Sequence, residues 1–138
     1  MGKLLGHDDI LSKATMLKRE LVKIPEWGDE KVWVQELTAA ARDDYEQSMM
    51  DAHKVGKSYE FRPNLRNAKA RMAVRVLVNE KGERLFKDNE ADTLGRVSAA
   101  VLNRIVDVAS RLSGMTKEDI EQLEQNFEKT PADGSPIS

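Results

Sequence analysis

The apolar residues between positions 97 and 112 recur at the three- and four-residue spacing of one helical face. That face is formed by aliphatic side chains, namely Val97, Val101, Ile105, Val108 and Leu112. Neighbouring apolar residues widen the stripe, which is typical of a helix with neighbours on more than one side. Gly114 follows where a left-handed residue commonly ends a helix. The pattern predicts a central helix on which the rest of the chain packs.

Residues 20–37 carry the clearest β-strand pattern in the chain. Val22 and Ile24 precede the turn sequence PEWGD (residues 25–29), and the run VWV (residues 32–34) follows it. Two β-rich runs around Pro, Gly and Asp predict a β-hairpin. A lone hairpin is marginally stable in water, so this one must lie on helices or gain strands from another chain.

Trp27 lies inside the predicted turn, where an indole is unusual. One interpretation is that the ring folds back onto a helix, which is the commoner arrangement. The other is that it forms an exposed aromatic anchor for a partner protein. The sequence leaves both interpretations open.

Several other stretches have helical spacing. Thr38 is a capping residue before a modest apolar face that includes Tyr45 and Met49. Another helix begins near residue 64, and a further one follows the capping signal at residues 116–119.

The remaining segments are predicted to be short or irregular. Residues 4–14 form a lead-in with one short helix, whose Ile10 and Leu11 dock on the body. Residues 53–58 form a loop. Residues 129–138 are too polar and too rich in Pro and Gly to order themselves, which predicts a flexible tail.

The predicted fold is a single α+β domain over residues 1–128, with one β-hairpin packed on a mainly α-helical body of four to five helices. A chain of 138 residues suits one domain. The chain has no cysteine, which excludes disulfides and thiolate metal sites and suits a reducing cytoplasm. No apolar run approaches the roughly 20 residues of a membrane helix, and residues 1–10 lack the apolar core of a signal peptide.

The chain offers little for catalysis or metal binding. His7 stands beside Asp8 and Asp9, but such a cluster is more often a helix cap than a ligand set. His53 is distant in sequence, and neither a glycine-rich phosphate loop nor a nucleophile motif occurs. We therefore predict no catalytic residue, no metal and no cofactor.

Charge is unevenly distributed although the net charge is only -2. Seven basic residues and one acid lie within residues 54–75, whereas six acids and two basic residues lie within residues 116–138. The basic segment suggests a face for nucleic acid or an acidic partner. Alternatively its charges spread around a helix, since Arg66 and Arg71 are about 140° apart on a helical wheel. The second interpretation is favoured, and the complementary ends also suit association between copies.

Seven short runs, taken in their order and spacing, carry a family resemblance. The first half of the chain contains IPEWG (24–28), VWV (32–34), LTA (37–39) and DDYE (43–46). The second half contains NLR (64–66), GERLF (82–86) and RLSGMT (111–116). Over about residues 5–128 the chain resembles the tail assembly chaperones of long-tailed, siphovirus-type bacteriophages or prophages.

The resemblance implies a non-enzymatic helper that acts in the host bacterial cytoplasm. It implies binding to the tape measure protein, help in recruiting tail tube subunits, and absence from the mature virion. Trp27, Trp33, Met49 and Phe127 are the candidate partner-binding residues. Two alternatives are a nucleic-acid-binding adaptor that uses residues 54–75 and a permanent component of the head–tail junction.

Overall fold

The computed structural model describes residues 2–115 and contains five helices and five strands in that part of the chain. The helices are α1 (His7–Ser12), α2 (Ala39–Ser48), α3 (Ala68–Val76), α4 (Ala91–Leu94) and α5 (Ala99–Leu112). The strands are β1 (Arg19–Ile24), β2 (Glu30–Gln35), β3 (Met50–Val55), β4 (Ser58–Pro63) and β5 (Leu77–Val78). The predicted α+β class is confirmed.

The predicted hairpin at residues 20–37 is confirmed as β1 and β2. A one-turn 3-10 helix, Pro25–Trp27, and two left-handed residues, Gly28 and Asp29, reverse the chain between them. The strand β5 pairs with β2, which gives an antiparallel sheet in the order β1-β2-β5. The inner face of this sheet carries the buried residues Val22, Ile24 and Val34.

The helix predicted at residues 97–112 is confirmed as the central helix. Val101, Ile105 and Ala109 of α5 are at most 1% exposed, and α5 packs on α3 and on the inner face of the sheet. Gly114, with a φ of 74°, ends the helix, and the Met115 N–H donates to the Ser110 carbonyl at 2.8 Å. This is a Schellman termination.

Thr38 caps α2 as predicted, because its Oγ1 accepts a hydrogen bond from the Ala41 N–H at 3.0 Å. The helix α3 begins at Ala68, later than predicted, after Asn67 takes a left-handed conformation with a φ of 55°. Met72 lies in the core. The aliphatic stripes of α3 and α5 therefore meet across the centre of the molecule.

Two predictions are wrong. Residues 53–58, predicted as a loop, belong to a second hairpin, in which β3 and β4 pair as a separate two-stranded sheet. Ile10 and Leu11, predicted to dock, are each 59% exposed, and no residue of α1 is buried. The helix predicted after residue 116 and the tail at residues 129–138 lie outside the described residues.

Candidate partner-binding surfaces

Trp33, one of the candidate partner-binding residues, lies on the outer face of the three-stranded sheet. Side chains alternate along a strand, so burial of one set of residues leaves the intervening set outside. We call the outward-pointing residues of β1 and β2 the outer sheet face. They are Arg19, Leu21, Lys23, Lys31, Trp33 and Gln35. Leu21 lies directly opposite Trp33 in the register, and Leu21 is 44% exposed. Val78 of β5 lies opposite Trp33 on its other side and is 2% exposed, so the accessible apolar area of this face is at Leu21 and the uncovered part of Trp33.

Trp33 is half-buried and held in place by Arg19. The guanidinium carbon of Arg19 lies 5.3 Å from the centroid of the Trp33 ring, which is cation–π geometry. The same guanidinium donates to the backbone carbonyls of Asn79 and Glu80. These contacts fix the ring against the sheet while part of it stays accessible.

Two lysines border the apolar centre of the outer sheet face. Lys23 lies opposite Lys31 in the register of β1 and β2. Like charges at directly opposite positions are unfavourable, and within residues 2–115 neither lysine has an ion-pair partner. The face therefore combines accessible apolar area with uncompensated positive charge.

Trp27 lies at the tip of the first hairpin and is 43% exposed, so the indole is not enclosed by a helix. Its neighbour Glu26 accepts a hydrogen bond from Arg104 of α5 at 3.0 Å. That bond holds the pKa of Glu26 below its ordinary value. The turn is thus tied to α5 while the Trp27 ring remains available.

The other two candidate residues do not add to this surface. Met49 is 2% exposed and belongs to the core beneath the end of α2. Phe127 lies outside the described residues. The apolar helical face that contains Met49 packs in the core. Helical spacing alone does not distinguish such a packing face from a binding face.

A second surface, which the sequence patterns did not reveal, is the β3–β4 hairpin, which we call the arm. Both of its strands are mostly exposed, and its large apolar side chains Val55, Tyr59 and Phe61 are 48%, 67% and 60% exposed. The sequence signal that could have identified it is Gly56, which takes a φ of 63° in a two-residue turn.

Arg71 of α3 fastens the base of the arm. Its guanidinium donates to the carbonyl of Asn64 at 2.6 Å, to that of Arg66 at 2.9 Å, and to that of Ser48. These carbonyls lie at the ends of α2 and β4 and in the loop before α3. Partial burial of this guanidinium lowers the pKa of Arg71.

The basic segment at residues 54–75 is dispersed by the fold. Arg71 holds backbone carbonyls, and the Arg75 side chain is 7% exposed, with Nη2 at 3.9 Å from Asp88. Lys69 donates to Asn103, and Arg62 pairs with Glu60. Three of the segment's seven cations, Lys69, Arg71 and Arg75, therefore bind other parts of the body, and the seven do not form one binding row.

The described residues offer no converging set of catalytic groups. His7 Nδ1 lies 2.9 Å from Asp8 Oδ1 on the surface, and within residues 2–115 no group of three His, Asp or Glu side chains could hold a metal ion. An open groove of about 750 Å³ lies beside the contact between α3 and α5, and Ala68, Leu102 and Val106 form part of its lining. Within the same residues, none of the helices combines the length and apolar character that crossing a bilayer requires.

Comparison with known proteins bears on the family resemblance. No curated protein matches the chain. The fold is similar to that of the bacteriophage HK97 tail assembly chaperone, with a TM-score of 0.53 at 19% sequence identity, over 75% of this chain and 96% of that chain. Residues 7–126 match the family model described as phage tail assembly chaperone. The chain therefore belongs to the phage tail assembly chaperone family.

Proposed function

We propose that this chaperone binds the tape measure protein of its phage in the host cytoplasm and keeps it soluble. It also helps to recruit tail tube subunits and is left out of the mature virion. Membership of the phage tail assembly chaperone family is the observation that carries the proposal.

The outer sheet face is the proposed contact surface for the tape measure protein. Burial of Leu21 and Trp33 under a client helix would remove accessible apolar area from water. Acidic side chains on that helix would offset the positive charges of Lys23 and Lys31, which face each other across the two strands. The proposed client segment is therefore an amphipathic helix with acidic residues beside its apolar stripe.

Such contacts are individually weak, which suits a client of great length. Many copies of the chaperone bound along one client would hold it by their combined effect. Each copy could still leave as tube subunits arrive, since no single site is tight. Weak repeated binding is therefore compatible with both protection and release.

Co-expression with the tape measure protein tests the proposal. We expect the wild-type chaperone to raise the soluble fraction of the tape measure protein and to co-purify with it. The double variant Lys23→Glu/Lys31→Glu should lose most of this effect, because it repels an acidic client. Lys54→Glu/Lys57→Glu makes the same change of charge on the arm and is the matched control.

An unchanged soluble fraction with the wild-type chaperone would contradict the proposed client. Equal behaviour of the two double variants would contradict the proposed surface while leaving the client intact. Mass spectrometry of purified particles tests the remaining part, because a protein left out of the virion gives no peptides there.

A further inference from the structure

The arm is a two-stranded sheet with almost nothing packed on it. Residues 52–55 of β3 are all exposed, and so are Tyr59 and Phe61 of β4. A hairpin of this kind is marginally stable by itself, and its unpaired edges are templates for another strand. The arm therefore lacks the third strand or packed layer that would normally stabilise it.

We propose that β4 pairs antiparallel with β4 of a second copy of this chain, about a two-fold axis at Phe61. The pairing joins two arms into one four-stranded sheet. It goes beyond the proposed client binding and does not depend on it, since the outer sheet face belongs to a different hairpin.

Hydrogen-bond geometry limits the possible registers of such a pair. The two-residue turn is closed by Val55 and Ser58, so Ser58 and every second residue after it bond to β3. The backbone groups of Phe61 therefore point to the free edge, and those of Glu60 and Arg62 do not. In a two-fold pairing, a residue whose backbone groups point to the free edge must lie opposite another such residue. The central registers therefore place the axis at Glu60, Phe61 or Arg62.

Charge selects one of these registers. An axis at Glu60 would place two glutamates opposite each other, and an axis at Arg62 would place two arginines opposite each other. An axis at Phe61 places Glu60 opposite Arg62 of the second copy, twice, and so extends across the two copies the ion pair that Glu60 and Arg62 make within one strand at 3.3 Å. Opposite charges at facing positions are favourable and like charges are unfavourable, so the sequence of β4 is complementary to itself in this register.

The same register also separates polar from apolar side chains. Phe61 would lie beside Phe61 of the second copy, and Tyr59 beside its Pro63, on the face opposite the ion pairs. Pro63 lacks an N–H and ends the paired segment. Because a two-fold contact is closed, the expected product is a dimer and not a filament.

Sedimentation velocity of the full-length chain tests the pairing through charge reversal. We expect the wild type to dimerise in a concentration-dependent way. Glu60→Arg and Arg62→Glu should each raise the dissociation constant about tenfold or more, since each creates like-charge pairs at the two-fold axis. Asp44→Arg makes a similar change of charge on the exposed face of α2 and should leave dimerisation unchanged.

Mixing the two arm variants provides the decisive comparison. In a mixed pair, the arginine introduced at position 60 of one copy faces the glutamate introduced at position 62 of the other. The remaining facing pair consists of the unchanged Arg62 of the first copy and the unchanged Glu60 of the second, so it is also complementary. The mixture should therefore dimerise although neither variant does so alone. This recovery also shows that both variants are folded.

A disulfide reports the register directly. The chain has no cysteine, so oxidation of Phe61→Cys can only link two copies, and Asp44→Cys is the control. Facing hydrogen-bonded residues have Cα atoms about 5.5 Å apart, which suits a disulfide. A wild type that stays monomeric, single variants that still dimerise, or a mixture that does not recover would overturn the pairing. Altered client binding with intact dimers would bear only on the outer sheet face.

Discussion

The hairpins β1–β2 and β3–β4 are both built from strands of six residues, but they relate to the core in opposite ways. The first lays Val22, Ile24 and Val34 beneath α5. It is also joined to α5 by two ion pairs, Arg104 with Glu26 and Arg111 with Glu20. The arm buries no large apolar side chain and is fastened only near its base.

The difference shows that strand pairing and strand stability have separate origins in this molecule. In β1–β2 the buried apolar area stabilises the pairing, so the hairpin should melt only with the whole domain. In the arm the backbone ladder has no such support, so local opening should cost less free energy. The first hairpin thus contributes to the core, whereas the arm leaves most of its residues accessible.

The largest expected effect contrasts Ile24→Ala with Phe61→Ala. Ile24 is 0% exposed, so its truncation should lower the free energy of unfolding by about 3–4 kcal/mol. Phe61 is 60% exposed, and its truncation should change stability by less than about 0.5 kcal/mol in dilute solution. Urea denaturation of the two variants measures both values. Similar losses would mean that the arm is packed on the body.

The second test concerns the fastening of the arm. Arg71→Met keeps the length of the side chain but leaves carbonyls of Ser48, Asn64 and Arg66 without their donor. We expect a loss of about 1–2 kcal/mol, because the partly buried carbonyls of Ser48 and Asn64 lose hydrogen bonds from a charged group. Amide hydrogen exchange should accelerate more in β3 and β4 than in β1 and β2. Arg66→Met, at an exposed position, is the control and should change neither quantity appreciably.

The smallest effect concerns the turn of the first hairpin. Its hydrogen bond from Arg104 lowers the pKa of Glu26 below the ordinary value of 4.5. The stabilisation is therefore complete above that value and is lost as the pH falls through the lower pKa of the folded state. Thermal melts of Glu26→Gln should show less loss of stability on acidification than the wild type does. Glu30→Gln should behave like the wild type.

The sequence predicted the helices and strands that have one buried side and one exposed side. Residues 97–112 show a helical period because α5 has one side in the core, and Val22 and Ile24 alternate with exposed residues for the same reason. The arm has no buried face. β3 carries no clear period-two pattern, and the alternation of Tyr59 and Phe61 with Glu60 and Arg62 in β4 is short, so the sequence predicts a loop at residues 53–58. Local patterning therefore failed where tertiary packing was absent.

The candidate site was predictable only in part. The sequence identified Trp27 and Trp33, and the structure leaves both partly accessible. It could not show that Lys23 faces Lys31, because that depends on the register across the turn. It also could not assign Arg71 to three carbonyls from separate segments, because a helical wheel contains no information about distant backbone groups.

The two ends of the arm meet, since the Asn64 N–H donates to the Met49 carbonyl at 2.6 Å. Residues 50–63 therefore leave the body and return to it at nearly the same point. A short linker could replace them without altering the path of α2 or α3. The length of the arm is therefore independent of the positions of α2 and α3, because both of its ends lie at one place on the body.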